Sequence, residues 1–295
     1  MLLLQPDNFQ NYSLIDTGKG MKLEQFGNVV LSRPEPQAIW SAHCNEEFWH
    51  KKSHAVFTKS LSNDDLGQGE KGNWKKLCNF DEPWHVHYNL QGHGLKFALS
   101  LSSFKHVGLF PEQAGNWEFI YTAVKAMPKA CRVLNLFAYT GASSLAACAA
   151  GAEVVHVDSV KQVITRANEN MQLSGLKGIK WVAEDAAKFV QREARRGSLY
   201  HGIILDPPVY GRGPAGEKWF LQQHLLPLLE ACKLILHRQN AFVLLNTYSL
   251  GFSAHIADNL LRTVFNPTST ECGELGIPDK AQRILPLSTF SRFVR

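Results

Sequence analysis

A chain of 295 residues, 45% hydrophobic and 19% charged, is long and apolar enough for one large domain with a smaller one beside it. Its net charge of +5 permits an anionic partner without requiring one. No apolar run reaches the length of a membrane span, the opening MLLLQPDNF lacks the basic flank of a secretory leader, and the six cysteines (Cys44, Cys78, Cys131, Cys148, Cys232 and Cys272) show no CxxC spacing, so the expectation is a cytoplasmic protein with reduced, buried thiols and no membrane partner.

Residues 1–105 alternate in twos between turn signals. Trp84-His85-Val86-His87-Tyr88-Asn89 and the stretch from Leu95 to Ser100 have the strand period, and Asn63-Asp64-Asp65 and Gly67-Gln68-Gly69 mark turns. This part reads as a small antiparallel β-rich unit. From residue 106 helical and strand patterns alternate. Pro111 opens a helix reaching about Met127, since proline suits a first turn. A buried strand over 132–137 precedes a small-residue helix over 142–150 that ends at Gly151. A strand over 153–157 ends in Asp158, and a helix follows over 161–173. The strand over 180–183 has Asp185 just after it, and a helix spans 187–195. The strand over 202–205 ends in Asp206, before a long helix over 219–236 and a fifth strand over 241–246. Residues 269–295, with Gly273, Gly276 and Pro278 between apolar runs, read as a closing β-hairpin. Such alternation predicts an α/β, Rossmann-like parallel sheet with helices on both faces.

Ligands of such sheets bind beyond the carboxyl ends of the strands. Tyr139-Thr140-Gly141-Ala142 follows the first strand, Asp158 the second, Asp185 the third and Asp206-Pro207-Pro208 the fourth. Each acid alone is readily explained as a helix N-cap, and Gly141 as a tight turn. Their joint arrangement in successive turns is harder to explain by capping. A glycine turn at a helix N-terminus can receive an anion. Asp158 can accept both hydroxyls of a ribose, and Asp185 with the Ala186 N–H can read an adenine. The loop NLFAYTGAS has a lone glycine in place of GxGxxG, which favours S-adenosylmethionine over a dinucleotide.

These motifs carry a resemblance. Residues from about 106 to 295 are similar to class I S-adenosylmethionine-dependent methyltransferases, and more closely resemble the bacterial large-subunit ribosomal RNA methyltransferases that modify cytosine C5 or guanine N7. The carrying stretches are VLNLFAYTGASSLAACAAGA, VVHVDSV, ANENMQLSGL, VAEDA, ILDPPVYGRG and, upstream, GLFPEQAGNWEFI. The resemblance implies a seven-stranded methyltransferase sheet over 106–295 and a substrate-side β-rich domain over 1–105. It implies a cofactor set of Phe110, Gln113, Asn135, Phe137, Tyr139, Thr140, Gly141, Asp158, Ser159, Asp185, Ala186 and Asp206. Thr140 and Gly141 would face the methionine part, and Gln113 would close over the cofactor. The family's PUA module is not evident in residues 1–105, which look more like its middle β-unit.

The acid–proline turn has a chemical reading. A sulfonium is an activated methyl donor, so the enzyme's task is alignment. Asp206 and the Pro207 carbonyl can accept hydrogen bonds from a target N–H and stabilise positive charge growing on nitrogen. Tyr210 can stack on an unpaired base. The cytosine-C5 members carry a nucleophilic cysteine in Thr-Cys-Ser, whereas this chain reads Thr247-Tyr248-Ser249. A nitrogen target is therefore favoured. Arg212, Lys218, Lys51, Lys52, Lys75 and Lys76 can contact phosphates, though each is equally explained as a solvated surface cation. His43, Cys44, His50 and His54, like His85, His87 and His93, lack zinc spacing, so no metal is expected. The expected partner is RNA, ribosomal first; monomer and homodimer both stay open. Two other readings remain: a methyltransferase for a protein or small molecule, and a non-catalytic RNA-binding protein with a vestigial pocket.

Overall fold

The chain begins with a short strand, β1 (Leu2–Leu4), and then folds a five-stranded sheet from β2 (Tyr12–Gly18), β3 (Met21–Phe26), β4 (Val29–Pro34), β5 (Ala55–Lys59) and β6 (Gly72–Lys76), in that order. The computed structural model describes residues 1–6, 9–59, 71–248 and 251–295; the turn signals at Asn63-Asp64-Asp65 and Gly67-Gln68-Gly69, and Ser249, lie outside the described residues. The five-stranded sheet is not purely antiparallel as expected. Helix α1 (Glu46–Lys52) carries the chain back between β4 and β5, which therefore pair in parallel. A separate hairpin follows, β7 (Trp84–Leu90) and β8 (His93–Leu99). Trp84, Val86, Tyr88 and Leu90 are buried while His85, His87 and Asn89 are exposed, so two of the histidines weighed as metal ligands share the outer face.

Pro111–Gln113 forms a 3-10 turn that leads into α2 (Ala114–Ala126). The chain then runs through β9 (Arg132–Leu136), α3 (Ala142–Ala149), β10 (Glu153–Asp158), α4 (Lys161–Leu173), β11 (Ile179–Ala183), α5 (Ala186–Arg195) and β12 (Gly202–Leu205). Next come β13 (Tyr210–Arg212), β14 (Lys218–Phe220), α6 (Leu221–Ile235), β15 (Phe242–Thr247), α7 (Ala254–Phe265), β16 (Glu271–Pro278) and β17 (Ile284–Val294). The large sheet has the order β1-β16-β17-β15-β12-β9-β10-β11. The five strands from β15 to β11 are parallel, and β17 is antiparallel to β15. Seven strands were expected. The eighth is β1, which pairs with β16 so that Leu2 stands beside Gly273. The opening leucines thus cover a sheet edge that would otherwise present unpaired backbone groups.

Apolar runs buried on both faces account for the sheet centre. Val133, Val154, Ile204 and Leu244 enter one core with residues of α2 and α3. Their chain neighbours Leu134, Val155, Ile203 and Val243 enter the opposite core with α5, α6 and α7. Helix α3 can lie close because its buried positions are small apart from Leu145: Ser144, Ala146, Ala147 and Ala149. Cys131 and Cys232 are buried, but Cys78 is exposed and Cys44, Cys148 and Cys272 are half-buried, so burial of the thiols is only partial. Among the described residues no helix is long and apolar enough to cross a membrane.

Two further elements differ from the sequence reading. Helix α7 was not expected, although its buried Ala254, Ala257, Asp258, Leu261, Val264 and Phe265 keep helical spacing, with Ser253 as N-cap and Asn266 left-handed at the C-terminus. The helix expected from 219 starts at Leu221, because Lys218–Phe220 pairs with Tyr210–Arg212 as a hairpin.

The five-stranded sheet is pinned to the large one by charge. Arg283, between β16 and β17, donates to Asp16 Oδ1 at 2.7 Å and to Asp279 Oδ2 at 2.9 Å, and Thr17 donates to the same Asp279 oxygen at 2.8 Å. The hairpin is pinned by Asn170 of α4, which accepts from the Ala98 N–H and donates to the Thr140 carbonyl.

A Cβ at Gly202 would stand 2.3 Å from the buried Phe242 ring. Gly202→Ala is expected to cost about 1–3 kcal/mol through overpacking. Denaturant unfolding reads it as a lower midpoint at constant slope; an unchanged midpoint would show that the ring yields freely.

Candidate functional site

Register builds the site. Val157, Leu136, Leu205 and Leu245 occupy one row across β10, β9, β12 and β15. Asp158, Asp206 and Asn246 each stand one residue further along their strands, and all three open on one cleft of about 910 Å³ at the carboxyl ends. Of the expected residues, Phe110, Gln113, Phe137, Tyr139, Thr140, Asp158, Ser159, Asp185, Ala186, Asp206, Pro207 and Tyr210 line this cleft. Asn135 and Gly141 stand behind its wall.

Their positions have structural causes. Asn135 is buried and donates to Ser144 Oγ at 2.9 Å, which lies 3.0 Å from His156 Nδ1. This chain joins β9, α3 and β10, and burial pushes the His156 imidazole down to about 3, so it is neutral at pH 7. Gly141 is the α3 N-cap with φ +89°, and a Cβ there would meet the Ala167 Cβ at 3.0 Å. The same loop holds Phe137 at φ 55° and Tyr139 at φ 49°. Left-handed non-glycine residues cost on the order of 1 kcal/mol each, and such strain gathers at ligand sites.

Asp158 restrains that loop. Its Oδ2 accepts the Tyr139 N–H and its Oδ1 the Val160 N–H, both at 2.9 Å. Burial raises the Asp158 pKa, and the backbone N–H groups oppose that rise. A carboxylate has about four lone-pair sites, so acceptor capacity remains for a ligand hydroxyl. Asp185 accepts the Lys188 N–H at 2.9 Å and caps α5 while lining the cleft, so capping and cleft positions coincide. Thr140 also lines the cleft, but its hydroxyl donates to the Gly108 carbonyl at 2.7 Å. Phe110 and Tyr139 form a tilted ring pair, 5.4 Å between centroids, and burial pushes the Tyr139 hydroxyl up to about 12.

Asp206 is clamped from two sides. Asn246 Nδ2 donates to its Oδ1 at 2.7 Å, and Gln113 Nε2 reaches its Oδ2 at 3.4 Å. Asn116 in turn donates to Gln113 Oε1 at 2.8 Å. Gln113, expected over a cofactor, is therefore also a support for the acid. Burial pushes the Asp206 carboxyl up to about 6, and the Asn246 hydrogen bond draws it partly back. Beyond it, the Pro208 carbonyl accepts the indole N–H of Trp219 at 2.7 Å, which fixes the acid–proline turn against the β13–β14 hairpin.

The sequence reading missed Asn246, Glu112, His106 and Arg166, all of which line the cleft. Asn246 had a signal, an amide inside the apolar strand FVLLNT. Burial pushes the Glu112 carboxyl up to about 7, against the pull of Lys22 and Arg33. Among the described cleft residues none is a cysteine, and Tyr248 is one of them. Lys51, Lys52, Lys75 and Lys76 do not line it; Lys76 pairs with Glu82.

The donor set fits S-adenosylmethionine: two strand-end carboxylates that can accept from ribose and adenine, aromatic walls, and a third, clamped carboxylate in the same cleft. Comparison with known proteins agrees. A family model described as S-adenosylmethionine-dependent methyltransferase matches residues 75–238. A SAM-dependent methyltransferase from Agrobacterium tumefaciens is 38% identical, with TM-score 0.89, covering 100% of this chain and 93% of that one. A methyltransferase complexed with SAH has TM-score 0.71 at 16% identity, covering 97% of this chain and 76% of its own, a likeness of fold. The ribosomal RNA large subunit methyltransferase I of Aeromonas salmonicida is 30% identical over 129 residues, 43% of this chain and 32% of the relative. The chain thus matches about a third of that curated relative's length.

Asp158→Ala is expected to weaken S-adenosylmethionine binding at least about tenfold, since hydrogen bonds to a charged group contribute about 1.5–3 kcal/mol each. Asp158→Asn, which keeps an acceptor for the loop, separates ligand contact from loop collapse. Isothermal titration decides: affinity unchanged in both variants would remove Asp158 from the ligand.

Proposed function

Because the chain belongs to the S-adenosylmethionine-dependent methyltransferase family, we propose that its clamped Asp206 directs the methyl group to a ring or amino nitrogen of an RNA base, ribosomal RNA first, in the cytoplasm. When bound, S-adenosylmethionine supplies an electrophilic methyl group, so neither a covalent enzyme intermediate nor a metal is needed for activation. The single observation that carries the reading is the Asp206 carboxylate held by Asn246 and Gln113 in the same cleft as Asp158 and Asp185.

The residues divide the work. Asp158 holds the ribose, and Asp185 with the Ala186 N–H the adenine. Phe110, Phe137, Tyr139 and Ser159 enclose the nucleoside, while Thr140 supports its methionine end from a loop that Gly141 and Asn135 keep in shape. Asp206 and the Pro207 carbonyl accept hydrogen bonds from the target N–H, orient the nitrogen lone pair and offset the positive charge that grows as the methyl–sulfur bond breaks, the surplus proton then passing to solvent. Pro207 offers no backbone N–H to compete. Tyr210 stacks on the base. The absence of a cysteine among the described cleft residues supports a nitrogen target over cytosine C5, where a thiolate must first add to the ring. The relative's name supports RNA as the substrate class.

The rate should depend on pH. Asp206 can accept a hydrogen bond from the target N–H only as the carboxylate, and its pKa is raised to about 6, so kcat/KM is expected to fall as pH drops through that value. The Asn246 bond favours the carboxylate, so Asn246→Ala should move the acid limb to higher pH. An acid limb that stays put would assign it to another group.

Transfer of labelled methyl from S-adenosylmethionine to RNA tests the substrate. RNA from a strain lacking the protein is expected to accept label in vitro, and nucleoside mass spectrometry to find an N-methylated base. Label entering only protein or small molecules would overturn the RNA reading. A covalent adduct with 5-fluorocytosine RNA would overturn the nitrogen target.

A further inference from the structure

The β13–β14 hairpin sits at the cleft mouth, and the catalytic reading uses only its first residue, Tyr210. The two faces of β14 are unlike. Trp219 turns inward, 4.8 Å from the Phe137 ring and bonded to the Pro208 carbonyl. Phe220 turns outward, with 39% of its surface exposed. Tyr210 lies opposite Phe220 across the hairpin, centroids 5.2 Å apart, and His224 is nearly parallel to Phe220 at 6.1 Å and 5.7 Å from Trp219. His224 is locked there, its Nδ1 accepting the Phe220 N–H at 2.9 Å. Tyr210, Phe220 and His224 therefore form one cluster of rings at the cleft mouth.

Cations flank the cluster. Arg212 and Lys218 face each other across the hairpin and are exposed. Arg212 Nε donates to the Tyr210 hydroxyl at 3.1 Å, and among the described residues neither cation meets a carboxylate. The nearby acid, Glu217, is taken up by Lys188 and by the Ala215 N–H. Arg166 also lines the cleft, but it pairs with Glu169 at 3.1 Å. An exposed ring backed by two half-buried ones, beside the exposed Arg212 and Lys218, matches a single nucleic acid strand, whose bases stack and whose phosphates need neutralising.

The geometry points to the β13–β14 hairpin as a stacking platform for the nucleotides next to the target base in single-stranded RNA, with Phe220 and His224 under the bases and Arg212 and Lys218 on the phosphates. This rests on the RNA reading above. It adds a requirement of its own: the strand beside the target is unpaired, because a base in a duplex cannot lay its face on Phe220.

Fluorescence anisotropy with a labelled 20-nucleotide single-stranded RNA, alone or annealed to its complement, tests this on the full chain. Wild type is expected to prefer the single strand. Phe220→Ala should bind it at least about fivefold more weakly, as stacked rings do when truncated. Arg212→Gln with Lys218→Gln should lower the slope of log affinity against log salt by about 1.4, the value for two phosphate contacts on a single strand. Circular dichroism and S-adenosylmethionine titration check that the variants stay folded. Unchanged affinity and slope in folded variants would overturn the platform and leave the RNA reading standing. A wild-type chain that binds neither RNA, but whose Phe220→Ala variant loses methylation of a protein, would overturn both.

Discussion

Everything at the cleft depends on the in-register pairing of β10, β9, β12 and β15. A parallel sheet buried on both faces cannot slip by one residue without moving every side chain to the wrong core. Val157, Leu136, Leu205 and Leu245 hold that register, and the polar residues that follow them are thereby delivered to one edge. Asn246 can reach Asp206 at 2.7 Å only because their strands are neighbours and in step. Packing energy, spread over dozens of apolar contacts, is thus converted into the placement of a few charges.

Those charges are held in tension with their surroundings. Burial disfavours an ionised Asp206 and raises Asp158 as well, yet among the described residues neither pairs with a cation. Amide and backbone N–H donors stabilise them instead, leaving their charge available to a cationic ligand. An arginine partner would be more stabilising and would cancel that attraction. The left-handed backbone at Phe137 and Tyr139 fits the same account, since Asp158 holds the Tyr139 N–H across the bend.

Much of this was legible in the sequence. The periods marked β9 to β12 within a residue or two, because buried parallel strands are short apolar runs bounded by helices. The acids Asp158, Asp185 and Asp206 stood out because each ends such a run. Other features gave weak signals. Strands β13 and β14 have three residues each and lie among glycines and a proline, so no period could show. Strand β1 is recognisable only through its partner Gly273, more than two hundred residues away. The support of Asp206 by Gln113 and Asn246 is tertiary, and the sequence separations of 93 and 40 residues hide it. Asn135 was expected at the ligand because it lies in the loop motif, but alternation along β9 turns it toward Ser144 and His156.

The central claim is that the three strand-end acids surround one sulfonium nucleoside. A crystal structure of the protein with S-adenosylhomocysteine tests it most directly. The account predicts ribose hydroxyls within hydrogen-bond distance of Asp158, the adenine beside Asp185 and the sulfur on the side of Asp206. A nucleoside bound elsewhere, or one in this cleft with its ribose away from Asp158, would contradict it.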